Sequence, residues 1–154
     1  MAVNTLPIVK MRIARKSSHP WVYKKMVEPP EVRLKPGTVV DIHNSANEWV
    51  ARGFFNGHSQ IALRVLTEDP KEDVDEGFFR KRIADAVRLR RETLGLDSTS
   101  GPAEPGAPSA LRSTNAYRVI HSEGDGLSGL VVDRFADILV IEFFSAGMFK
   151  MREM

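Results

Sequence analysis

Residues 36–67, PGTVVDIHNSANEWVARGFFNGHSQIALRVLT, decide the fold class. Pro36-Gly37 opens the run Thr38–His43, in which Val40 and Ile42 share one face of a strand. Residues 44–47 are a turn candidate, and Trp49–Phe55 follows as a second strand whose pattern Gly53 breaks. Asn56-Gly57 is a tight-turn pair, because both residues tolerate positive φ. Beyond it, Ile61, Leu63 and Val65 alternate with Gln60, Ala62 and Arg64. Several short strands in so few residues predict a small β-barrel rather than βαβ units.

Working downstream, residues 75–94 read as one helix. Phe79, Ile83, Ala86, Val87 and Leu94 recur at near-helical spacing, with Arg80, Arg82, Asp85, Arg88, Arg91 and Glu92 on the remaining, solvated face. Asp73 or Asp75 can cap its start, and Gly95 can end it in the left-handed conformation. Residues 97–114, DSTSGPAEPGAPSALRST, are a Pro/Gly-rich linker expected to be mobile. The pattern then turns β again. Residues 117–121 read as a strand, Gly124, Gly126 and Gly129 mark an irregular loop, and residues 130–135 and 138–144 read as a hairpin turning at Ala136-Asp137. A further helix is expected to start after Gly147. An end at Met154, inside a starting element, suggests a truncated chain. The whole is mixed, mainly β: a barrel over 1–70, a connecting α-helix over 71–96, the linker over 97–114 and a β-hairpin region over 115–154.

Composition narrows the function classes. No apolar run approaches the roughly 20 residues of a membrane span, and residues 1–10 lack the apolar stretch of a secretory signal, so a cytoplasmic protein with no membrane partner is expected. The absence of cysteine excludes a disulfide scaffold, thiolate zinc sites and a cysteine nucleophile. The net charge of +2 conceals an asymmetry: residues 1–64 carry ten Lys/Arg against four Asp/Glu, and residues 93–154 carry five against eight. A basic front half suits a polyanion, since each phosphate neutralised releases counterions. A solvated basic face is the alternative. A homodimer stays open.

The front half holds two groups of candidate binding residues. Lys10, Arg12, Arg15, Lys16, His19, Trp21, Lys24 and Lys25 interleave cations with an aromatic ring, which suits a phosphate backbone and an unstacked base. The alternative places Trp21 in the core. Asn56, Ser59 and Gln60 can bond ribose hydroxyls and base edges while Arg64 meets phosphate, or they can be ordinary hairpin residues. The loop Glu123-Gly124-Asp125-Gly126-Leu127-Ser128-Gly129 lacks the ligand spacing of a calcium loop. Gly124, Gly126 and Gly129 match G-x-G-x-x-G in spacing, but a short strand follows where a dinucleotide site needs a helix. Nor do His19, His43, His58 and His121 have zinc spacing.

Three stretches together resemble one family. His19-Pro20-Trp21-Val22-Tyr23 is similar to its "HPWVF", residues 59–67 (SQIALRVLT) to its "SQIAVRVLT", and residues 117–135 (YRVIHSEGDGLSGLVVDRF) to its "YRLVNGEGDGLPGLVVDRYG". The family is the S-adenosylmethionine-dependent large-subunit ribosomal RNA cytosine-5 methyltransferases that carry an N-terminal PUA domain, the RNA-binding fold named after pseudouridine synthase and archaeosine transglycosylase. The resemblance implies a PUA-type barrel, ribosomal RNA as partner, and a Rossmann-type methyltransferase domain that is absent from this chain. It implies S-adenosylmethionine for a complete enzyme, with no cofactor and no catalytic residue here. The chain departs in having Ser128 where proline is usual, and a longer linker. Glu123, Asp125 and Asp133 are expected in a substrate-facing loop, with a purely structural turn as the alternative for Asp125. A free-standing RNA-binding module and a basic protein-interaction module are the competing functions. The stretch EGDGLSGLVVDR argues against the first, because a bare RNA-binding barrel does not need that hairpin.

Overall fold

The structure, a computed structural model, describes residues 6–14, 18–96 and 114–153. The expected linker, apart from Thr114, therefore lies outside the described residues, as do Arg15 and Lys16. Five strands, β1 (Ile8–Lys10), β2 (Trp21–Tyr23), β3 (Thr38–His43), β4 (Trp49–Phe55) and β5 (Ile61–Thr67), form one sheet in the order β1-β3-β4-β5-β2. β1 runs parallel to β3 and the other pairs are antiparallel. The sheet curls until its margins meet: Met11, just past β1, bridges Val27, just past the short 3-10 turn Lys24–Met26 that follows β2. The result is a half-barrel rather than a fully closed one, because this single bridge joins the margins.

Its interior holds Val9, Met11, Val22, Val40, Ile42, Ala51, Phe55, Leu63 and Val65. Val40 and Ile42 share the inward face, as their spacing predicts. The alternation expected in β5 does not hold, since Ala62, Leu63, Val65 and Leu66 are all buried. Ala62, Leu63 and Val65 join the interior cluster, and Leu66 is buried by a second apolar layer on the outside of the half-barrel. Phe54 and Leu66 turn outward there and pack with Phe78, Phe79 and Ala86 of helix α1 (Glu76–Arg88), and with Ile120, Leu127, Leu130, Val132 and Met148 beyond it.

Asp75 caps α1, its Oδ1 accepting from the Phe78 amide at 2.9 Å, and a π-helical turn continues the helix over Leu89–Thr93. Gly95 then takes φ +63°. The helix wheel needs correction. Ile83 and Leu94 are exposed, whereas Arg90 is buried and Arg82 half-buried on the face of Ala86 that meets the hairpin region. A helix with cover on two sides does not keep all its arginines in solvent, and both of these find acceptors inside the fold.

Strands β6 (Ala116–His121), β7 (Leu130–Phe135) and β8 (Ile138–Phe143) form an antiparallel sheet in that order, and β7 and β8 pair around Ala136-Asp137 as expected. Helix α2 (Ala146–Lys150) follows, its N-terminus capped by Ser145 Oγ. A β-carbon at Gly147 would fall 2.1 Å from the Phe54 ring, so only glycine lets α2 rest on the half-barrel. Between β6 and β7, Gly126 (φ +68°) and Gly129 (φ +92°) occupy left-handed backbone that other residues rarely adopt, which makes the tight loop possible.

Candidate nucleic-acid interface

Two arms of the chain bring the described cations of the front half together. The Arg12 amide donates to Met26 O at 2.8 Å, and the Glu28 amide to Lys10 O at 2.9 Å. The Lys24 amide donates to Gln60 O at 2.8 Å, which seats the 3-10 turn between the end of β1 and the β4–β5 turn. These bonds set Lys10 and Arg12 against the segment 26–28 that follows Lys24 and Lys25, and set Lys24 against Gln60. Arg12, Lys24, Lys25 and Gln60 are exposed and Lys10 is half-buried. Arg12 also donates from Nε to Val27 O at 3.3 Å, which braces its guanidinium against the barrel margin.

The turn residues have partly local duties. Asn56 Oδ1 accepts from the His58 amide at 3.0 Å, and Ser59 Oγ from the Ile61 amide at 3.1 Å. The amide nitrogen of Asn56 and the whole Gln60 head group are the groups best suited to an outside ligand. His19 accepts from the Trp21 amide at 3.2 Å and stands edge-on to the indole at 4.8 Å.

Trp21 and Arg64 lead elsewhere. Both donate to Glu123 Oε1, the indole Nε1 at 2.7 Å and Arg64 Nη1 at 2.8 Å. Ser128 Oγ donates to the same oxygen at 2.7 Å, and the Arg64 guanidinium lies 5.1 Å from the centre of the Trp21 ring. Burial alone would raise the Glu123 pKa, but bonds from Ser122, Ser128 and Trp21 outweigh it and bring it down to about 2. Burial pulls the Arg64 pKa down against the opposing pull of Glu123. This knot fastens the half-barrel to the hairpin region across 59 residues of sequence.

The other two carboxylates, Asp125 in the loop and Asp133 in β7, also face arginines of this chain. Asp125 takes Arg90 Nη1 at 2.6 Å and Nη2 at 2.8 Å as well as the His121 amide, with the two side chains only 6% and 10% exposed. Asp133 takes Arg118 Nε at 2.8 Å and Nη2 at 2.9 Å, and that pairing lowers its pKa. Glu123, Asp125 and Asp133 therefore clamp β5, the end of the long helix and β6 respectively.

Arg82, Arg90 and Arg118, which meet this loop and the strand after it, belong to no binding motif in the sequence. For the first two a signal exists: Arg82, Ala86 and Arg90 repeat every fourth residue, so they share a face with a buried alanine. Among the described residues, no group of three His, Asp or Glu side chains is placed to hold a metal. No helix among them is long and apolar enough to cross a membrane.

The half-barrel is a curled sheet in the order β1-β3-β4-β5-β2, and residues 13–68 match the family model of the PUA-like domain. The chain is also homologous to proteins named ribosomal RNA large subunit methyltransferase I. It is 35% identical over 135 residues to that of Pseudoalteromonas atlantica, covering 88% of this chain and 30% of the relative. It is 36% identical over 132 residues to that of Escherichia coli O1:K1, covering 84% and 29%. The chain thus spans about 30% of the length of the curated relatives it matches. A solved structure from Streptococcus mutans, described as a candidate SAM-dependent methyltransferase, superposes with a TM-score of 0.65 at 14% identity, covering 94% of this chain and 35% of that one. Another, a candidate methyltransferase solved with SAH, gives 0.66 at 12% identity over 97% and 35%. At such identities the likeness is one of fold.

Proposed function

We propose that this chain is the RNA-gripping portion of a cytoplasmic, SAM-dependent methyltransferase that modifies C5 of a cytosine in large-subunit ribosomal RNA. The observation that carries the reading is the backbone bonding that draws the β1 end carrying Lys10 and Arg12 to the turn carrying Lys24 and Lys25, and that turn to Gln60, on a half-barrel that matches the PUA-like family. Cations fixed on adjoining backbone segments hold a phosphate track in register, and the turn offers hydrogen bonds to ribose and base edges.

The residues present do not fit a methyl donor. Among the described residues, the glycine-patterned loop 124–129 spends its backbone on itself: Gly126 and Leu127 amides donate to Glu123 O and Ser122 O, and the Gly129 amide donates to Ser122 Oγ. It leads into strand β7, not into a helix whose free amides could take an anion. No chemical step is therefore assigned to these residues, and their work is recognition.

A titration of this chain against a structured fragment of large-subunit ribosomal RNA at several salt concentrations tests the reading. Removing one cation that neutralises a phosphate should flatten the slope of log affinity against log salt by roughly 0.7–0.9. The double variant Lys24→Glu, Lys25→Glu is expected to weaken binding at least tenfold and flatten that slope. An unchanged slope and affinity would sink the proposed surface.

A further inference from the structure

A cleft of about 280 Å³ opens where the half-barrel meets the 122–129 loop. Pro20 and Leu66 supply apolar wall, and Ser18, Arg82, Glu123 and Ser128 supply polar groups around it. We propose that this cleft receives one unstacked nucleobase of the RNA held along the basic margin. The proposal rests on the RNA-binding reading above and adds a base-specific pocket to a surface otherwise suited to phosphates.

The chemistry of the lining favours a base over a phosphate or a simple apolar ligand. A base edge carries donors and acceptors side by side on a flat, apolar body. Here Arg82 can only donate, ionised Glu123 can only accept, and the two serine hydroxyls can do either. A phosphate would meet the Glu123 carboxylate as a like charge.

Arg82 is also incompletely committed. Its bonds to Gly126 O and Glu72 are long, at 3.3 and 3.2 Å, and its Nε–H is the one buried side-chain polar atom without a partner among the described residues. It can re-aim toward a ligand without breaking a short bond. Access matches as well. Ser18 is exposed at the cleft, and the chain runs from it through β2 into Lys24 and Lys25. Ser18 and Lys25 are seven residues apart, so at most about 25 Å of extended chain separates them. A strand gripped by the lysines has its neighbouring nucleotides within reach of the opening.

The test uses the 154-residue chain and an RNA hairpin with a single bulged nucleotide, in two versions. One carries fluorescent 2-aminopurine at the bulge and the other is abasic there. The wild-type chain is expected to bind the base-bearing RNA about tenfold more tightly and to change its emission on binding. Ser18→Trp, which places an indole across the opening, should bring the two affinities together and abolish the emission change while the salt slope stays as it was. If Ser18→Trp keeps the full preference, or if the wild type grips both RNAs alike with a steep salt slope, the pocket is wrong and RNA gripping stands. Failure to bind either RNA overturns both.

Discussion

The half-barrel and the three-stranded sheet treat their apolar side chains in opposite ways. In the half-barrel Met11, Ile42 and Leu63 are fully buried, because a sheet that curls onto its own margin encloses one face. In the second sheet every residue of β8 is exposed, with Ile138 at 62% and Leu139 at 57%. α1 covers the β6–β7 side, and β8 projects past it to leave an apolar groove lined by Ile83, Leu139, Ile141, Phe143 and Met151. Strand pattern thus says that a segment is β, while enclosure depends on curl and on what lies across from each face. A contiguous apolar surface of this kind is unusual on a self-sufficient soluble domain.

The attachment of the hairpin region to the end of the long helix is the place to break the comparison hardest. Asp125→Asn leaves Arg90 charged, desolvated and without its bidentate partner, and is expected to cost about 4 kcal/mol. Urea unfolding checks it, and a loss below about 1 kcal/mol would mean that the pair does not hold the hairpin region in place. Next in size is a matched pair of truncations. Leu63→Ala should cost about 3 kcal/mol through reduced burial and a residual cavity, whereas Leu139→Ala should stay within about 0.5 kcal/mol. Equal costs would show that β8 is covered in solution.

Much of the architecture is legible in the sequence, and the reason is local. The Val40/Ile42 spacing, the Asp75 cap and the Ala136-Asp137 turn each specify their own geometry within a few residues, whereas Asn56 and Gly57 do not take the positive φ expected of them and the five residues 56–60 join β4 to β5. What the sequence hides is set by residues far apart along the chain. β5 departs from alternation at Leu66, which packs into the outer layer with Phe78, Phe79 and Met148. Arg82 leaves the solvated face expected of it, and Arg90, which the helix reading did not place, is buried, because the 122–129 loop brings them Gly126 and Asp125. The basic residues are legible by type, and only the Met11–Val27 closure places four of them together. The chemistry of Trp21 and Arg64 suits RNA, and no local pattern announces that Glu123 lies between the two regions to receive them.

Glu123 supplies a subtler probe of that junction. Its pKa lies at about 2 in the fold against an ordinary value of 4.5. A depressed carboxylate pKa contributes stability that is present above the ordinary value and is lost as pH falls toward the folded one. Stability should therefore decline between about pH 4.5 and pH 2. Glu123→Gln should lower stability at neutral pH by about 2 kcal/mol, with Arg64 left short of a counter-charge, and should flatten that acid limb. Thermal melts across the range read both effects, and an acid limb identical in the variant would assign the pH dependence to other carboxylates.

The smallest expected effect falls on the open sheet and is the most diagnostic of its nature. Ile141 lies at the middle of β8, pairs with Val132 on one side only, and turns its side chain into the groove beside α1. Because half of it already meets water, Ile141→Lys removes little burial, and a lysine on an edge strand keeps its ammonium in solvent while its stem stays on the groove. Unfolding free energy is expected to move by no more than about 0.5 kcal/mol. The surface should change far more than the stability. A lysine at the centre of the patch interrupts its apolar continuity and discourages strand-to-strand association at the free edge, so binding of an apolar fluorescent dye and concentration-dependent scattering should both drop. If instead the variant loses several kcal/mol with dye binding unchanged, Ile141 belongs to an enclosed core and the contrast between the two sheets collapses.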